Sequence, residues 1–217
     1  MITVNFYTET SMSKFLDFIL YPKAFYEKLT DKTKRLFWCI SLIGLIDIIL
    51  FGLVYNIFIH FSNGTPGDYL INAFILIASV FILGFLDVFF VALPLSDIFH
   101  RFSPKANVLK KQSARIIFMK AYICSHFIIA PVSALVSILF RNITVTSSTL
   151  VLLCYILLET LVMVWSAALL TRGAKVIFGY SNDANPPVFL AIFFWSNIIV
   201  GRVLFFILNS GIIKLLR

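Results

Sequence analysis

Five stretches of this sequence stay apolar for longer than a helix needs to cross a lipid bilayer: 36–61, 69–95, 116–140, 148–171 and 188–209. At about 1.5 Å of rise per residue, roughly 20 residues cover a ~30 Å hydrocarbon core, so every run is long enough. Lipid offers backbone amides no water, and a spanning segment must satisfy its own hydrogen bonds. The Phe, Ile and Val content that would favour strands in water is therefore overridden, and each run is expected to be a helix. Composition points the same way, because 60% hydrophobic and 13% charged residues in 217 positions cannot be arranged inside a soluble sphere. The expected fold is all-α: a polytopic membrane protein built as a bundle of five transmembrane helices.

Two regions follow from this pattern, an N-terminal interfacial segment over 1–35 and a five-helix transmembrane domain over 36–217. Within the first, 13–20 and 22–30 read as short amphipathic helices, with Phe15, Phe18, Ile19, Phe25, Tyr26 and Leu29 free to face lipid or the bundle. Pro22 suits a first helical position, where its missing N–H costs nothing. Lys14, Lys23 and Lys28, together with Lys110 and Lys111 in the second connection, are the candidate contacts to anionic lipid headgroups. The mixed charges of the first 35 residues do not match a cleavable signal, so the first span is expected to direct insertion itself.

Lys and Arg resist translocation, and their distribution sets the expected orientation. The N-terminal segment, second connection and fourth connection together hold thirteen of them, against three in the first connection, third connection and tail. By this positive-inside count the N-terminus is cytoplasmic and the C-terminus outside. Two sequons, at Asn63 and Asn142, fall in connections assigned to the outside, although in a prokaryote they would mean nothing.

An ionisable side chain inside a span is a functional-site candidate, because burying it is costly without a partner or water. Counting from the cytoplasmic end puts Asp47 at ~16 Å, Glu159 at ~18 Å and Arg202 at ~21 Å, near one level. The same count puts Asp87 at ~12 Å and Lys120 at ~7 Å, within reach of each other given a long lysine stem. Asp47, Glu159, Arg202, Asp87 and Lys120 thus form the candidate intramembrane polar network. It has two readings: a proton, ion or polar-substrate path, or interhelical glue that fixes helix register. Pro131 could kink the third span, and Ser133 with Ser137 forms a small-xxx-small pair suited to close packing.

Other chemistry finds no support in the motifs. Cys39, Cys124 and Cys154 lie in apolar runs without CxxC spacing. His60, His100 and His126 have no HExxH pattern and no carboxylate at local ligand spacing, so no metal or cofactor site is expected. GxSxG, P-loop, GxGxxG and paired-aspartate patterns are absent, and the expected protein is not an enzyme. Although the net charge is +8, the basic segments flank spans, where topology and lipid charge explain them, and no nucleic-acid partner is expected.

The stretch 15–29, followed by a short charged run and five spans, resembles the prokaryotic branch of the Ypt-interacting protein (Yip) family. Members open with a Pro-x-x-x-Phe-like element before the first span, matched here by Pro22 and Tyr26 with Phe25 adjacent. The Gly-Gly element before the last span is only echoed, by 179–186. The longer cytoplasmic region of the eukaryotic members has no counterpart, and their small-GTPase partnership does not carry over. The resemblance implies five spans, a cytoplasmic N-terminus, a prokaryotic plasma membrane and no catalytic residues. It also implies a protein that organises membrane or membrane-protein partners, as a homo-oligomer or with another membrane protein. The alternative is a small transporter or channel subunit using Asp47, Asp87, Glu159 and Arg202.

Overall fold

A computed structural model describes residues 23–55, 65–141, 143 and 147–216 of the chain. Lys14, the expected helix over 13–20, Pro22 and the sequon residues Asn63 and Asn142 lie outside the described residues. Among those described there is no strand. The helices are α1 (Lys23–Glu27), α2 (Leu36–Tyr55), α3 (Pro66–Arg101), α4 (Lys111–Leu139) and α5 (Thr149–Phe178). A last helical run, α6, covers Asn182–Leu215.

Helices α3 to α6 are each long and apolar enough to cross a membrane, while the apolar part of α2, Leu36–Phe51, is shorter. Large apolar side chains such as Leu70, Phe74, Ile138, Leu150 and Phe206 are more than half exposed, which in water would be an aggregation surface and in a bilayer faces acyl chains. The chain is an integral, polytopic membrane protein.

The helices overrun the apolar stretches that announce them. The connection expected over 96–115 contracts, because α3 continues to Arg101 and α4 starts at Lys111. Likewise α5 continues to Phe178, and α6 starts at Asn182. Hydropathy marks where the solvent changes, whereas the helix persists as long as its polar turns find partners. Here Asp97 on α3 accepts hydrogen bonds from Arg115 Nε and Nη2 on α4, with the Nε contact at 2.7 Å, and Lys111 Nζ lies 3.1 Å away. Local chemistry sets the ends. Thr65 and Asp68 cap each other's backbone amides at the start of α3, with Pro66 in the first turn, and Gly179 closes α5 in a left-handed conformation with φ of 74°. The helix expected over 22–30 is reduced to α1, which buries Tyr26 alone.

Helices α2 and α3 cross at backbone contact. A Cβ placed on Gly44 would stand 1.9 Å from the Val80 carbonyl oxygen, and one on Gly84 would stand 2.3 Å from the Ile40 carbonyl oxygen. Small residues let backbones approach where lipid supplies no hydrophobic drive between helices. Both helices also pack on α4, which packs on α5. At the basic end of the bundle, Phe99, Phe118 and Phe178 from three helices meet edge to face or tilted, with centroids 5.7–5.9 Å apart. Tyr26 anchors α1 there by donating to the Leu169 carbonyl oxygen at 3.2 Å.

Gly44→Ala and Gly84→Ala are each expected to destabilise the purified protein toward the upper end of the ~1–3 kcal/mol range for overpacking, read from its unfolding midpoint in detergent. Unchanged midpoints would mean the crossing tolerates separation. A second expectation concerns pH. Hydrogen bonds from Arg115 hold the Asp97 carboxyl down at about 2, below its unfolded range. Its contribution is therefore complete above the ordinary carboxylate pKa of ~3.9 and fades as pH falls toward the folded value. The melting temperatures of wild type and Asp97→Asn should converge between pH ~5 and ~2; a constant gap would assign the stabilisation elsewhere.

Candidate functional site

Asp47 and Asp87 each follow a crossing glycine by three residues, one turn along α2 and α3 and close to the same face. The crossing therefore carries both carboxylates toward α4, which supplies Tyr122 and His126 four residues apart. The Tyr122 hydroxyl donates to the Asp87 carboxylate, 2.8 Å from each oxygen. His126 stands between the acids, with Nε2 3.3 Å from Asp47 Oδ1 and Nδ1 3.9 Å from Asp87 Oδ2. Asp87 is 4% exposed and Asp47 9%, and Asp47 Oδ2 is buried without a hydrogen-bond partner.

These four side chains border a cavity of about 220 Å³. Glu159 on α5 and Ser133 on α4 line it as well, as do Ser196 and Asn197 on α6. The α6 pair sits in a π-helical stretch, Phe194–Val200. There, Ser196 Oγ donates to the Ile192 carbonyl at 2.6 Å and Asn197 Nδ2 to the Phe193 carbonyl at 3.1 Å. Side chains bonded to carbonyls four residues back compete with the regular ladder, and the helix widens locally. Helices α5 and α6 pack together mainly along Asn185–Phe193, after which α6 leans on α3, where Trp195 Nε1 donates to the Phe90 carbonyl at 2.7 Å. The cavity's α5 rim is consequently open in part, with Met163 39% exposed and Glu159 half-buried.

Of the expected polar network, the structure brings Asp47, Asp87 and Glu159 to one cavity and leaves the two cations out. Lys120 does not pair with Asp87; its Nζ donates to the Thr30 carbonyl oxygen at 2.6 Å, in the turn after α1. Arg202 is exposed and does not border the cavity. Arg202 lies 14 residues into the apolar run that begins at 188, ~21 Å along it, so its depth matches that of the carboxylates while its face does not. Among the described residues, no Lys or Arg lines this cavity. His126, Tyr122, Ser196 and Asn197 were not anticipated as members, since ligands on separate helices leave no local spacing to read.

Of the candidate headgroup contacts, Lys23, Lys28, Lys110 and Lys111 are exposed at the basic end. Lys111 pairs with Asp97, and Lys23 stands 3.7 Å from Glu27. A second cavity of about 420 Å³ lies nearby, bordered by Lys23, Glu27, Lys105, Arg172, Lys175 and Tyr180.

No protein-family model, curated protein or solved structure matches the chain. Its function has to be argued from the cavity and the bundle that builds it.

Removing the hydroxyl donor with Tyr122→Phe is expected to cost about 1–3 kcal/mol, read from unfolding in detergent. Asp87→Asn combined with it should cost less than the two separate losses added, because both remove one interaction. Strict additivity would show that the hydroxyl and carboxylate do not support each other.

Proposed function

We propose that the protein is a small membrane carrier or channel subunit that handles a cation inside the bundle. The observation that carries this reading is the convergence of Asp47, Asp87, His126 and Glu159, from four helices, on one cavity lined by no Lys or Arg among the described residues. Carboxylates held at low dielectric without a Lys or Arg need a proton, on a carboxyl or on His126, or a metal cation to balance them. A site that takes up and releases such a charge is what a transport pathway requires. The π stretch of α6 adds to the case, since irregular helix at membrane depth is tolerated where it borders a cavity.

In the full proposal α2 makes a fifth crossing, the N-terminus faces the cytoplasm, and the membrane is a prokaryotic plasma membrane. The exposed lysines of the basic end then meet anionic headgroups, and the protein performs no covalent chemistry. The Yip-like element supports a second reading, a scaffold that organises membrane partners, through one specific contact. Tyr26, which matches the family's aromatic position, is buried and bonded to Leu169 on α5. The scaffold reading, however, assigns no task to the acidic cavity.

Reconstitution in liposomes separates the two. With an imposed membrane potential and entrapped proton- and zinc-sensitive dyes, the wild type should show cation flux above empty vesicles. Asp87→Asn and Glu159→Gln should lose most of that flux while keeping the wild-type oligomeric state, and Glu159→Gln should keep the wild-type melting behaviour as well. Flux equal to that of empty vesicles with both dyes would remove the carrier reading and favour the scaffold.

A further inference from the structure

The cavity contains more than a set of negative charges. Asp47, Asp87 and His126 each offer one ligand atom, and the three atoms lie within 4.8 Å of one another. Zinc-to-nitrogen and zinc-to-carboxylate bonds run ~2.0–2.2 Å, so ligand atoms around one ion stand roughly 3–4 Å apart. Modest side-chain rotation closes that difference.

We propose that Asp47, Asp87 and His126 bind a single first-row divalent metal ion, of the Mn²⁺ to Zn²⁺ class, inside the bundle. The inference rests on the cation-handling reading and deepens it by naming the cation.

An independent observation points to the ligand. Asp47 borders the cavity, and its Oδ2 is buried without a hydrogen-bond partner although its companion oxygen faces His126. A buried carboxylate oxygen without a donor is costly, and a metal ion satisfies it. Asp87 carries the outer support that ligating carboxylates use, the Tyr122 hydroxyl at 2.8 Å. The charges balance, because two carboxylates neutralise a divalent ion with imidazole as the neutral third ligand.

The donor set also sets the class of metal. Mg²⁺ and Ca²⁺ favour all-oxygen shells, and Cu⁺ favours thiolates, whereas mixed imidazole and carboxylate suits the first-row divalent ions. Neither Cys39 nor Cys124 nor Cys154 borders the cavity. At about 220 Å³ it has room for several waters, each taking ~30 Å³, to complete the coordination shell. Ser133, Ser196 and Asn197 are placed around it to hydrogen-bond those waters.

The full chain in lipid nanodiscs, dialysed against Zn²⁺ and separately against Mg²⁺, tests this. One Zn²⁺ per chain is expected, without displacement by excess Mg²⁺. Asp47→Asn and His126→Gln should each weaken binding by more than roughly tenfold, and Tyr122→Phe by about tenfold through its support of Asp87. Bound Co²⁺ supplies a readout that does not depend on affinity, because its visible spectrum should change in His126→Gln at saturating metal. Failure of the folded wild type to bind Zn²⁺, or wild-type affinity and Co²⁺ spectra in the ligand variants, would overturn the proposal. Proton flux in liposomes without bound metal would sink the metal site and leave the carrier reading standing. Bound Zn²⁺ without flux would do the reverse.

Discussion

The contact of α2 with α3 at Gly44 and Gly84 is the constraint on which the rest of the molecule depends. Each glycine meets backbone atoms of the other helix, so no side chain can be interposed and the spacing between the helices is fixed by main-chain contact. A hydrophobic drive cannot hold helices together in lipid, since acyl chains are as apolar as leucine; close packing and polar contacts do it instead. With the crossing set, Asp47 and Asp87 are carried one turn away toward α4, and the place where His126 can stand between them follows. The acidic site is thus a consequence of the main-chain contact between α2 and α3.

Charge placement is the second organising constraint. The long cationic side chains that could have neutralised the cavity reach other targets. Lys120 extends to the Thr30 carbonyl at the basic end, as lysine stems do when an interface lies within reach, and Arg202 is on an exposed face of α6. Asp97, by contrast, sits past the apolar run of α3 and is paired with Arg115 and Lys111. Asp97 at the basic end is thus neutralised by protein cations, while Asp47 and Asp87 at the centre have a histidine and a tyrosine hydroxyl as neighbours.

The helical architecture was legible in the sequence because lipid imposes one strong rule, that apolar length means helix. That rule predicts five spanning helices; among the described residues four are long and apolar enough to span, and the apolar part of α2 is shorter. The helix ends were not legible, since Asp97, Arg115 and the aromatic cluster of Phe99, Phe118 and Phe178 extend the helices by tertiary contacts that hydropathy does not register. For the site, depth counting found Asp47, Asp87 and Glu159 but paired them with the wrong partners. Depth carries no information about the face a residue occupies, and Arg202 and Lys120 face away from the cavity's lining. His126 was visible only as an isolated mid-span histidine, because its partners lie on α2 and α3 rather than one turn away. The Gly44 and Gly84 contact joins residues forty positions apart and leaves no motif, whereas the conspicuous Ser133 and Ser137 pair on α4 places Ser133 at the cavity.

Access to the cavity is governed by a different part of the bundle from the one that builds it. Helix α5 is the least buried of the long helices, with 11% of its apolar window inside the bundle against 33% for α3. Its outer face, with Leu153, Ile156, Leu157 and Leu161, is committed to lipid rather than to protein. It is held at the basic end by Tyr26 and the aromatic cluster, and farther along it packs on α4 through a group formed by Ile129, Val136, Val162 and Leu169, with Phe140 and Tyr155 against it. Glu159 lies on α5 across the cavity from Asp47, Asp87 and His126. Movement of α5 against α6 would change exposure of the cavity and the position of Glu159 without disturbing Asp47, Asp87 and His126. The cavity thus lies where α5 and α6 part, bordered by carboxylates from α2 and α3 on one side and by Glu159 on the other.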